Sequence, residues 1–424
     1  MLTLPSTIDV VVIGAGAAGI SAARRLIAAG VSVVVLEARD RIGGRAHTVP
    51  REGHGLDLGC GWLHSADENV LADRARAEGF TVDETAPPWQ SETASLGVSS
   101  VEQADFAEAF AAFDTRISEA AALGRDRPAS DHFEPGNRWN ARMDAISGAM
   151  NGARFAEVSS LDHDAYRDTG VNWRVAEGYG TLIQRLGDDL SVVLNCPVTR
   201  IDRSGPRLII ETARGRVETS QVILTVPTAL IASETIRIDP PVPALLEAAS
   251  GVPLGLASKL HLGVTRAGDF EPDSELMGRA DTAETGFYHL RPFGRPMIEV
   301  YFGGPLAWGL EAQGEAAFLD FATTELVDQL GSSFRRRIQP LATSMWGSDP
   351  FSLGAYSHVL PGHAGDRERL SRPIEDRIFI AGEATAPAFF GTAHGAWLEG
   401  ERAALETLAA RGIDPRISGG FDET

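Results

Sequence analysis

The chain is long and acidic, which limits its architecture and its partners. Its 424 residues can form two domains with sizeable cores, and its 43% hydrophobic content is typical of a globular protein. A formal net charge of −20 argues against nucleic acid, whose phosphates require a basic surface, and is compatible with a cationic ligand. No window approaches membrane-spanning length, so we expect a soluble protein with no membrane partner.

The cysteine content points to a reducing compartment. Cys60 and Cys196 are the two cysteines, too few for a disulfide framework, and neither has the spacing of a metal ligand. The N-terminus has no basic region followed by a cleavable apolar segment. We therefore predict a cytoplasmic protein without a metal site.

A glycine-rich turn between a strand and a helix predicts a nucleotide site near the N-terminus. Residues 8–13 are apolar and β-branched, as in a buried parallel strand, and the Ala-rich residues 17–29 predict a helix. In Gly14-Ala15-Gly16-Ala17-Ala18-Gly19 the glycines allow a tight turn, room for a pyrophosphate and close helix packing. Glu37 ends a second strand, where its carboxylate can accept hydrogen bonds from ribose hydroxyls.

The loop after Glu37 extends this signature. Arg39 and the turn Gly43-Gly44-Arg45 place two cations and a bare backbone just beyond the expected ribose site. An ordinary solvated loop is the alternative. The spacing from the first glycine turn favours a role in binding the cofactor.

The remaining sequence predicts a sheet that the chain leaves and re-enters. Apolar residues at helical spacing predict a packed helix over 102–122, and further helices are expected at 138–153, 181–186 and 318–330. The β-runs at 191–194, 207–212 and 221–226 alternate with turns and predict a meander. Residues 259–264 and 296–302 alternate like strands of a second sheet. A short strand at 377–381 and a helix at 395–410 repeat the strand–glycine–helix order of the N-terminus.

Several motifs resemble the flavin-dependent amine oxidases, a family that includes monoamine oxidases, polyamine oxidases and flavin histone demethylases. Besides the two glycine turns they comprise Asp57-Leu58-Gly59-Cys60-Gly61-Trp62-Leu63-His64, Val222-Ile223-Leu224-Thr225-Val226-Pro227, Ser258-Lys259-Leu260, Met345-Trp346, Gly354-Ala355-Tyr356-Ser357 and residues 379–402. The resemblance covers nearly the whole chain except roughly residues 90–170.

This resemblance implies an α/β fold with two domains. A discontinuous Rossmann-like FAD-binding domain, with a parallel sheet and a β-meander, is expected over 1–80, 185–250 and 370–424. A second, α+β domain for the substrate is expected over 81–184 and 251–369. The implied reaction is oxidation of an amine by hydride transfer to flavin N5, followed by imine hydrolysis and reoxidation by O2 to hydrogen peroxide.

The resemblance also assigns residues to the cofactor. Those expected to contact FAD are Gly14, Gly16, Ala17, Ala18, Gly19, Glu37, Ala38, Arg39, Gly43, Gly44, Arg45, Gly61, Trp62, Val198, Trp346, Gly382, Glu383, Thr392 and Ala393. The helix near residues 391–395 is expected to point its N-terminus at the pyrimidine end of the flavin, where it stabilises the reduced anion. For Glu383 the alternative is a helix-capping acid.

Five residues are expected to act in catalysis. Lys259 matches a family lysine that holds a water against the flavin, and the alternative is an edge-strand lysine that discourages aggregation. Tyr356 matches one wall of an aromatic cage for the amine. Trp346 matches a tryptophan that the family stacks near the flavin, and the alternative is an aromatic residue of the core. His64 resembles the polyamine oxidase pattern and could bind the substrate, and the alternative is a buried histidine hydrogen-bonded to the backbone. The fifth residue is Thr392.

Two departures from the monoamine oxidases refine the resemblance. Ala355 stands where those enzymes attach the flavin through cysteine, so non-covalent FAD is expected. Thr392 stands where they have the second tyrosine of the cage. The sequence Thr392-Ala393-His394-Gly395-Ala396 is similar instead to polyamine oxidases and histone demethylases.

Other functions remain open alternatives. An L-amino-acid oxidase would need an arginine to clamp the substrate carboxylate, and residues 60–62 lack the one that the family places there. An amine dehydrogenase with another electron acceptor is a second alternative. A carotenoid-type desaturase and a non-catalytic protein of the same fold are disfavoured by the motifs around Lys259 and Tyr356. A histone demethylase is disfavoured because the sequence shows no appended interaction domain or long helical insertion.

Overall fold

The chain folds as two units, and each is assembled from separate stretches of sequence. In the computed structural model, residues 3–90, 95–96 and 99–414 are described. The first unit comprises the described parts of Met1–Ala46, Gly180–Pro253 and Gly365–Thr424, and the second those of His47–Tyr179 and Leu254–Ala364.

The described residues form strands and helices in the following order along the chain. The strands are β1 (Thr7–Ile13), β2 (Val33–Leu36), β3 (Thr48–Arg51), β4 (His54–Asp57), β5 (Leu63–His64), β6 (Val82–Asp83), β7 (Ser95–Leu96), β8 (Asn172–Val175), β9 (Val192–Val193), β10 (Val198–Asp202), β11 (Leu208–Thr212), β12 (Gly215–Leu224), β13 (Arg237–Asp239), β14 (Leu254–Gly255), β15 (Ala257–Val264), β16 (Ser274–Met277), β17 (Phe287–Leu290), β18 (Met297–Gly303), β19 (Ile338–Thr343), β20 (Tyr356–Ser357) and β21 (Ile378–Ile380). The helices are α1 (Ala17–Ala28), α2 (Val70–Ala77), α3 (Ser100–Ala122), α4 (Asn140–Asn151), α5 (Ser160–Ala165), α6 (Tyr179–Arg185), α7 (Thr228–Ala232), α8 (Pro243–Gly251), α9 (Gly304–Gln313), α10 (Glu315–Leu330), α11 (Asp366–Ser371) and α12 (Ala393–Ala410).

The first unit is built on one mixed sheet. Its strand order is β13-β10-β11-β12-β1-β2-β9, and β21 also pairs with β12. Strand β1 is parallel to both β2 and β12, and β21 is parallel to β12. This arrangement brings the two ends of the chain into one parallel sheet, as the sequence predicted.

The meander of this sheet differs from the prediction in its first strand. Residues 191–194 do not open it, because β9 pairs in parallel with β2 instead. The meander begins at β10, which pairs antiparallel with β11, and β11 pairs antiparallel with β12. Strand β10 has charged residues and only two buried ones, so the apolar pattern of its sequence is too weak to predict a strand.

Helices α1 and α12 pack against each other on this sheet. A Cβ atom on Gly400 would lie 2.1 Å from the carbonyl oxygen of Ala18, so the contact requires glycine. The core beneath them consists of valines of β1 and β2, Phe379 of β21 and Leu408 of α12, which are nearly or fully buried. Burial of this apolar surface fixes the position of the glycine turn that follows β1.

The second unit contains a six-stranded sheet in the order β19-β15-β18-β17-β16-β7. Strand β15 pairs antiparallel with β18 on one side and with β19 on the other. It is therefore an internal strand, and all its residues after Ala257 are buried, so the expected alternation of buried and exposed positions is wrong. Its apolar side chains join a core that includes Phe302 and Phe318.

Helix α3 forms a second core in this unit. Phe113 and Ile117, two members of its predicted apolar stripe, are buried and pack with Trp139 and Phe155. The predicted packed helix face is thus confirmed. Across residues 3–90, 95–96 and 99–414, no helix combines the length and apolar character needed to cross a membrane.

Candidate active site

The turn after β1 has the conformation that its glycines allow. Gly14 has a φ of 102°, which disfavours other residues, and its N–H donates to the carbonyl of Leu36 at 2.8 Å. A Cβ on Gly19 would lie 1.9 Å from the carbonyl oxygen of Gly14. These two glycines are therefore required by the fold itself.

Gly16 has a different role, because open space surrounds its Cα. A Cβ placed there would meet no heavy atom nearer than the Cα of Gly44, at 4.0 Å. Gly16 is the N-cap residue of α1, and no side chain caps that helix end. The N–H groups of the first helical turn and the partial positive charge of the helix suit an anionic pyrophosphate.

Glu37 connects the two glycine loops through hydrogen bonds to their backbones. Its Oε2 accepts the N–H of Ala15 at 2.8 Å, and its Oε1 accepts the N–H of Arg39 at 2.8 Å. The side chain is buried. A carboxylate has about four lone-pair positions, so these bonds leave acceptor capacity for a ribose hydroxyl.

Glu383 joins the N-terminal turn to the C-terminal motif. Its Oε1 forms an ion pair with Arg45 at 2.9 Å, and its Oε2 accepts the N–H of Gly391 at 3.0 Å. Thr392 then caps α12, because its Oγ1 accepts the N–H of Gly395 at 3.0 Å. The capping residue of α12 is therefore Thr392, and Glu383 stabilises the loop before it.

These residues fit a dinucleotide cofactor. The open space at Gly16, the uncapped end of α1 and the carboxylate of Glu37 lie on consecutive elements of the first unit. Val198, also expected to contact the cofactor, begins β10 of the same unit and is buried. Ala355 offers no thiol for covalent attachment.

Lys259 is the central residue of the candidate site in the second unit. It is the only lysine among the 424 residues of the chain. Its side chain is 5% exposed, and its Nζ lies 2.7 Å from Oε1 of Glu299 on β18. The ring of Tyr301 lies 4.7 Å from Nζ, and a Cβ on Gly61 would lie 2.8 Å from it. The alternative of an edge-strand lysine facing solvent is wrong.

The charges around Lys259 favour its ammonium form. Burial by itself would lower the pKa of Lys259, but the carboxylate of Glu299, with smaller contributions from Tyr301 and Asp57, raises it above its ordinary value. Burial would raise the pKa of Glu299, but Lys259 and two nearby histidines lower it to about 2. At neutral pH the pair is therefore ionised.

The loop of residues 57–62 covers this part of the sheet. The indole N–H of Trp346 donates to the carbonyl of Leu58 at 2.8 Å, which fixes the buried tryptophan against the loop. His261 contacts the carbonyl of Asp57 through Nε2 at 3.1 Å, and burial lowers the pKa of His261. The contacts of Trp346 and His261 thus hold this loop against the sheet that contains Lys259.

Trp62 is packed against a charged cluster that the sequence did not suggest. The guanidinium of Arg174 lies 4.9 Å from its ring centroid and pairs with Asp83 at 2.6 Å and Asp273 at 2.8 Å. Burial would raise the pKa of Asp273, but hydrogen bonds from His289 and Arg174 lower it to about 2. The two carboxylates fix the guanidinium of Arg174, and this guanidinium packs against the ring of Trp62.

His64 and Tyr356 are also held by polar contacts. Nδ1 of His64 lies 2.6 Å from Oδ1 of Asn172, whose amide nitrogen donates to the carbonyl of Gly170 at 3.1 Å. Because the amide oxygen is an acceptor, Nδ1 carries the hydrogen and Nε2 has the free lone pair. Burial lowers the pKa of His64. The hydroxyl of Tyr356 donates to the carbonyl of Ala149.

The predicted site residues therefore fall into two groups. Lys259, Trp346, Tyr356 and His64 belong to the second unit, as do Gly61 and Trp62. The first unit contains the remaining expected cofactor residues, Ala17, Ala18, Ala38, Gly43, Gly382 and Ala393 among them, and also Thr392. Sequence reasoning missed Glu299, although an isolated acid in the apolar strand 296–302 and a single lysine in the whole chain are visible signals.

The parallel sheet, the glycine turn and the uncapped helix of the first unit define a dinucleotide-binding protein of mixed α/β fold. The sequence profile of the flavin-containing amine oxidoreductases matches residues 17–408, and the chain belongs to this family. It is therefore an enzyme with a flavin cofactor that oxidises amines. The predicted family and fold class are confirmed.

Individual relatives agree with this assignment. The chain is 30% identical to probable polyamine oxidase 4 of Arabidopsis thaliana, over 92% of this chain and 85% of that protein. It is also 30% identical to lysine-specific histone demethylase 1 homolog 3 of Oryza sativa subsp. indica, over 93% of this chain and 53% of that protein. The structure of putrescine oxidase bound to putrescine shares the fold, with a TM-score of 0.74, 20% identity and coverage of 96% and 100%. A double mutant of putrescine oxidase gives a TM-score of 0.77, with 20% identity and coverage of 95% and 99%.

Proposed function

We propose that the chain is an FAD-dependent oxidase that acts on a C–N bond of a polyamine or of another primary or secondary amine. The observation that carries the proposal is the buried, ion-paired Lys259 in a chain whose family oxidises amines. Relatives named polyamine oxidases, matched over more than nine-tenths of the chain, support this substrate class. The net charge of −20 favours the approach of a cationic substrate.

The first unit supplies the groups that would hold FAD without a covalent bond. The open backbone at Gly16 and the N-terminal amides of α1 would take the pyrophosphate, and Glu37 the ribose of the adenosine half. When bound, FAD supplies the redox chemistry, accepting a hydride equivalent from the carbon beside the amine nitrogen and passing two electrons to O2, which yields hydrogen peroxide. Ala355 supports non-covalent binding, since it offers no nucleophile.

The second unit would bind the amine and manage its proton. Hydride leaves an amine readily only when the nitrogen is neutral, so the bound ammonium must lose a proton first. Nε2 of His64 has a free lone pair, and the pKa of this histidine is lowered, so the ring is neutral and able to accept that proton. The aromatic face of Tyr356 attracts the cationic form without adding a competing carboxylate. Water then hydrolyses the oxidised substrate, an imine, to an aldehyde and an amine.

Lys259 would act in the reaction with oxygen. A fixed cation in a buried setting stabilises the negative charge that O2 gains as it accepts electrons. Replacing Lys259 by Met removes the charge and keeps an unbranched side chain. We expect flavin reoxidation to slow about 100-fold, the size of one lost electrostatic contact, with flavin reduction by the amine much less affected.

One experiment tests both parts of the proposal. The purified enzyme is mixed with a panel of diamines, polyamines, monoamines and L-amino acids, and both peroxide release and dye reduction are measured. Flavin bleaching by polyamines together with peroxide supports the proposal. Dye reduction without peroxide would identify a dehydrogenase, and activity confined to L-amino acids would overturn the substrate class. Flavin that stays with the protein after acid precipitation would overturn non-covalent binding.

A further inference from the structure

We propose that Glu299 is a positioning residue that holds Lys259 in place and in its charged form, so that this lysine is a permanent cation over the working pH range. The proposal deepens the proposed function, because it concerns the residue assigned there to the oxygen reaction. It rests on the geometry of β15 and β18 in the second unit.

The contact joins side chains of neighbouring antiparallel strands. In the register of β15 and β18, Lys259 is opposite Tyr301 and His261 is opposite Glu299, so the four residues share one face of the sheet. The Lys259–Glu299 ion pair at 2.7 Å is therefore a diagonal contact across the two strands. It fixes the ammonium relative to the sheet as well as to the loop at Gly61.

The Lys259–Glu299 ion pair is buried. The two side chains are 5% and 15% exposed. Across residues 3–90, 95–96 and 99–414, neither residue forms another ion pair. Asp57 also influences Lys259, but its carboxylate oxygens are bound by the hydroxyl of Thr48 at 2.5 Å and the N–H of Tyr179 at 3.0 Å. Glu299 is thus the direct counter-charge.

Other titratable groups near Lys259 do not replace Glu299. Burial keeps His64 and His261 neutral at pH 7 by lowering their pKa values. It also raises the pKa values of Tyr301 and Tyr356, so both phenols are neutral at that pH. His289 lies beside Glu299 and pairs with Asp273 at 2.9 Å. The titratable side chains around Lys259 are those of Asp57 (β4), His64 (β5), His261 (β15), His289 (β17), Glu299 and Tyr301 (β18), and Tyr356 (β20). Without Glu299, the ammonium would be left in a buried site with its main counter-charge removed, and the neutral amine would be favoured.

Because the chain has a single lysine, its ionisation can be observed directly. Protein labelled with ¹³C at the lysine ε-carbon gives one lysine resonance, and its shift reports the charge of Lys259 as the pH is raised. In the wild-type holoenzyme we expect no titration up to about pH 10.4, the ordinary lysine value. In Glu299→Gln we expect the titration to complete within roughly pH 6–10.

A second readout measures the rate of flavin reoxidation by O2 in the absence of any amine substrate. The flavin is reduced chemically in the holoenzyme, and its reoxidation by O2 is followed by stopped flow from pH 6 to pH 10. In the wild type, Lys259 should stay protonated over this range, so its charge should contribute no change of rate with pH. In Glu299→Gln the rate should fall about tenfold or more as pH rises through the new lysine titration, because the ammonium is the form present at lower pH. Glu299→Asp retains the charge and should keep Lys259 protonated, with a slower rate because the carboxylate is displaced.

Glu325→Gln is the matched control. The carboxylate of Glu325 is buried in the same unit and accepts hydrogen bonds from Thr285, Gly286 and Tyr288 at 2.7–2.9 Å. Its loss should lower stability and leave the lysine titration unchanged. A purely structural role for Glu299 would make both variants alike, which would overturn the proposal. An unchanged lysine titration in Glu299→Gln would also overturn the proposal. The same holds if the only effect of Glu299→Gln is a raised KM for amines. Failure of the amine panel with these readouts intact would reject the proposed substrate and leave this assignment standing.

Discussion

Gly61 lies so close to Lys259 that adding one methyl group should disturb the ammonium. In Gly61→Ala the new Cβ would lie 2.8 Å from Nζ, against 3.7 Å from the nearest atom of Asp57. Ordinary van der Waals contact begins at 3.4 Å, so Nζ must retreat by about 0.6 Å. Nζ already lies 2.7 Å from Glu299 and cannot approach that carboxylate more closely. The displacement must therefore lengthen or bend the ion pair.

The size of the effect follows from the distances. Lengthening the ion pair from 2.7 Å to about 3.3 Å weakens it by about 1 kcal/mol at an effective dielectric constant of about 20. Overpacking of a buried position adds about 1–3 kcal/mol of destabilisation. A 1 kcal/mol loss at the ammonium corresponds to a roughly fivefold slower reoxidation if the charge acts in that step.

The assay is stopped-flow reoxidation of the chemically reduced enzyme by O2, combined with thermal unfolding. Gly268→Ala is the control, since a Cβ there meets no heavy atom within 4 Å and should change neither quantity. The reasoning is refuted if Gly61→Ala reoxidises at the wild-type rate with an unchanged melting temperature. It is also refuted if reduction by amine slows as much as reoxidation, because the effect would then not be specific to the oxygen step.

Three further predictions concern the cofactor loop, the pH dependence and the aromatic wall. Glu37→Gln leaves the N–H of either Ala15 or Arg39 without its oxygen acceptor, so it should cost about 1–3 kcal/mol of stability and weaken FAD binding, as measured by fluorescence titration. His64 and His261 have pKa values lowered below 6.5, so their contribution to stability is present above about pH 6.5 and is lost as the pH falls below it. Melting temperatures from pH 8 to pH 5 should therefore fall, and a flat profile would contradict this. Tyr356→Phe should cost about 1 kcal/mol of stability and leave KM for the amine nearly unchanged, whereas Tyr356→Ala should raise KM.

The nucleotide turn could be predicted from sequence because its determinants are local. Gly14, Gly16 and Gly19 are separated by a few residues, and the close approach of Gly19 to the carbonyl oxygen of Gly14 lies within this one turn. The strands on either side are continuous apolar runs, which identify buried parallel strands. The half-exposed strand β10 was missed for the opposite reason, since its charges conceal its pairing with β11.

The partners of the predicted residues could not be found in the same way. Glu383 binds Arg45 across 338 residues of sequence, and Arg174 meets Asp273 only through folding of the second unit. Spacing along the chain carries no information about such contacts, because they depend on how distant elements pack. For the same reason, the alternative of an exposed edge-strand lysine could be rejected only once β15 was seen between two other strands.

The sequence by itself determined the cofactor class, the family and the identity of Lys259 as a candidate, because each rests on short motifs whose chemistry is local. The tertiary structure alone decided that Lys259 is buried and that Glu299 is its counter-charge. The physical reason is that burial and ion pairing are properties of the packed sheet. The register of β15 against β18 brings together two charges separated by 40 residues of sequence, and neither charge would be stable in that position without the other.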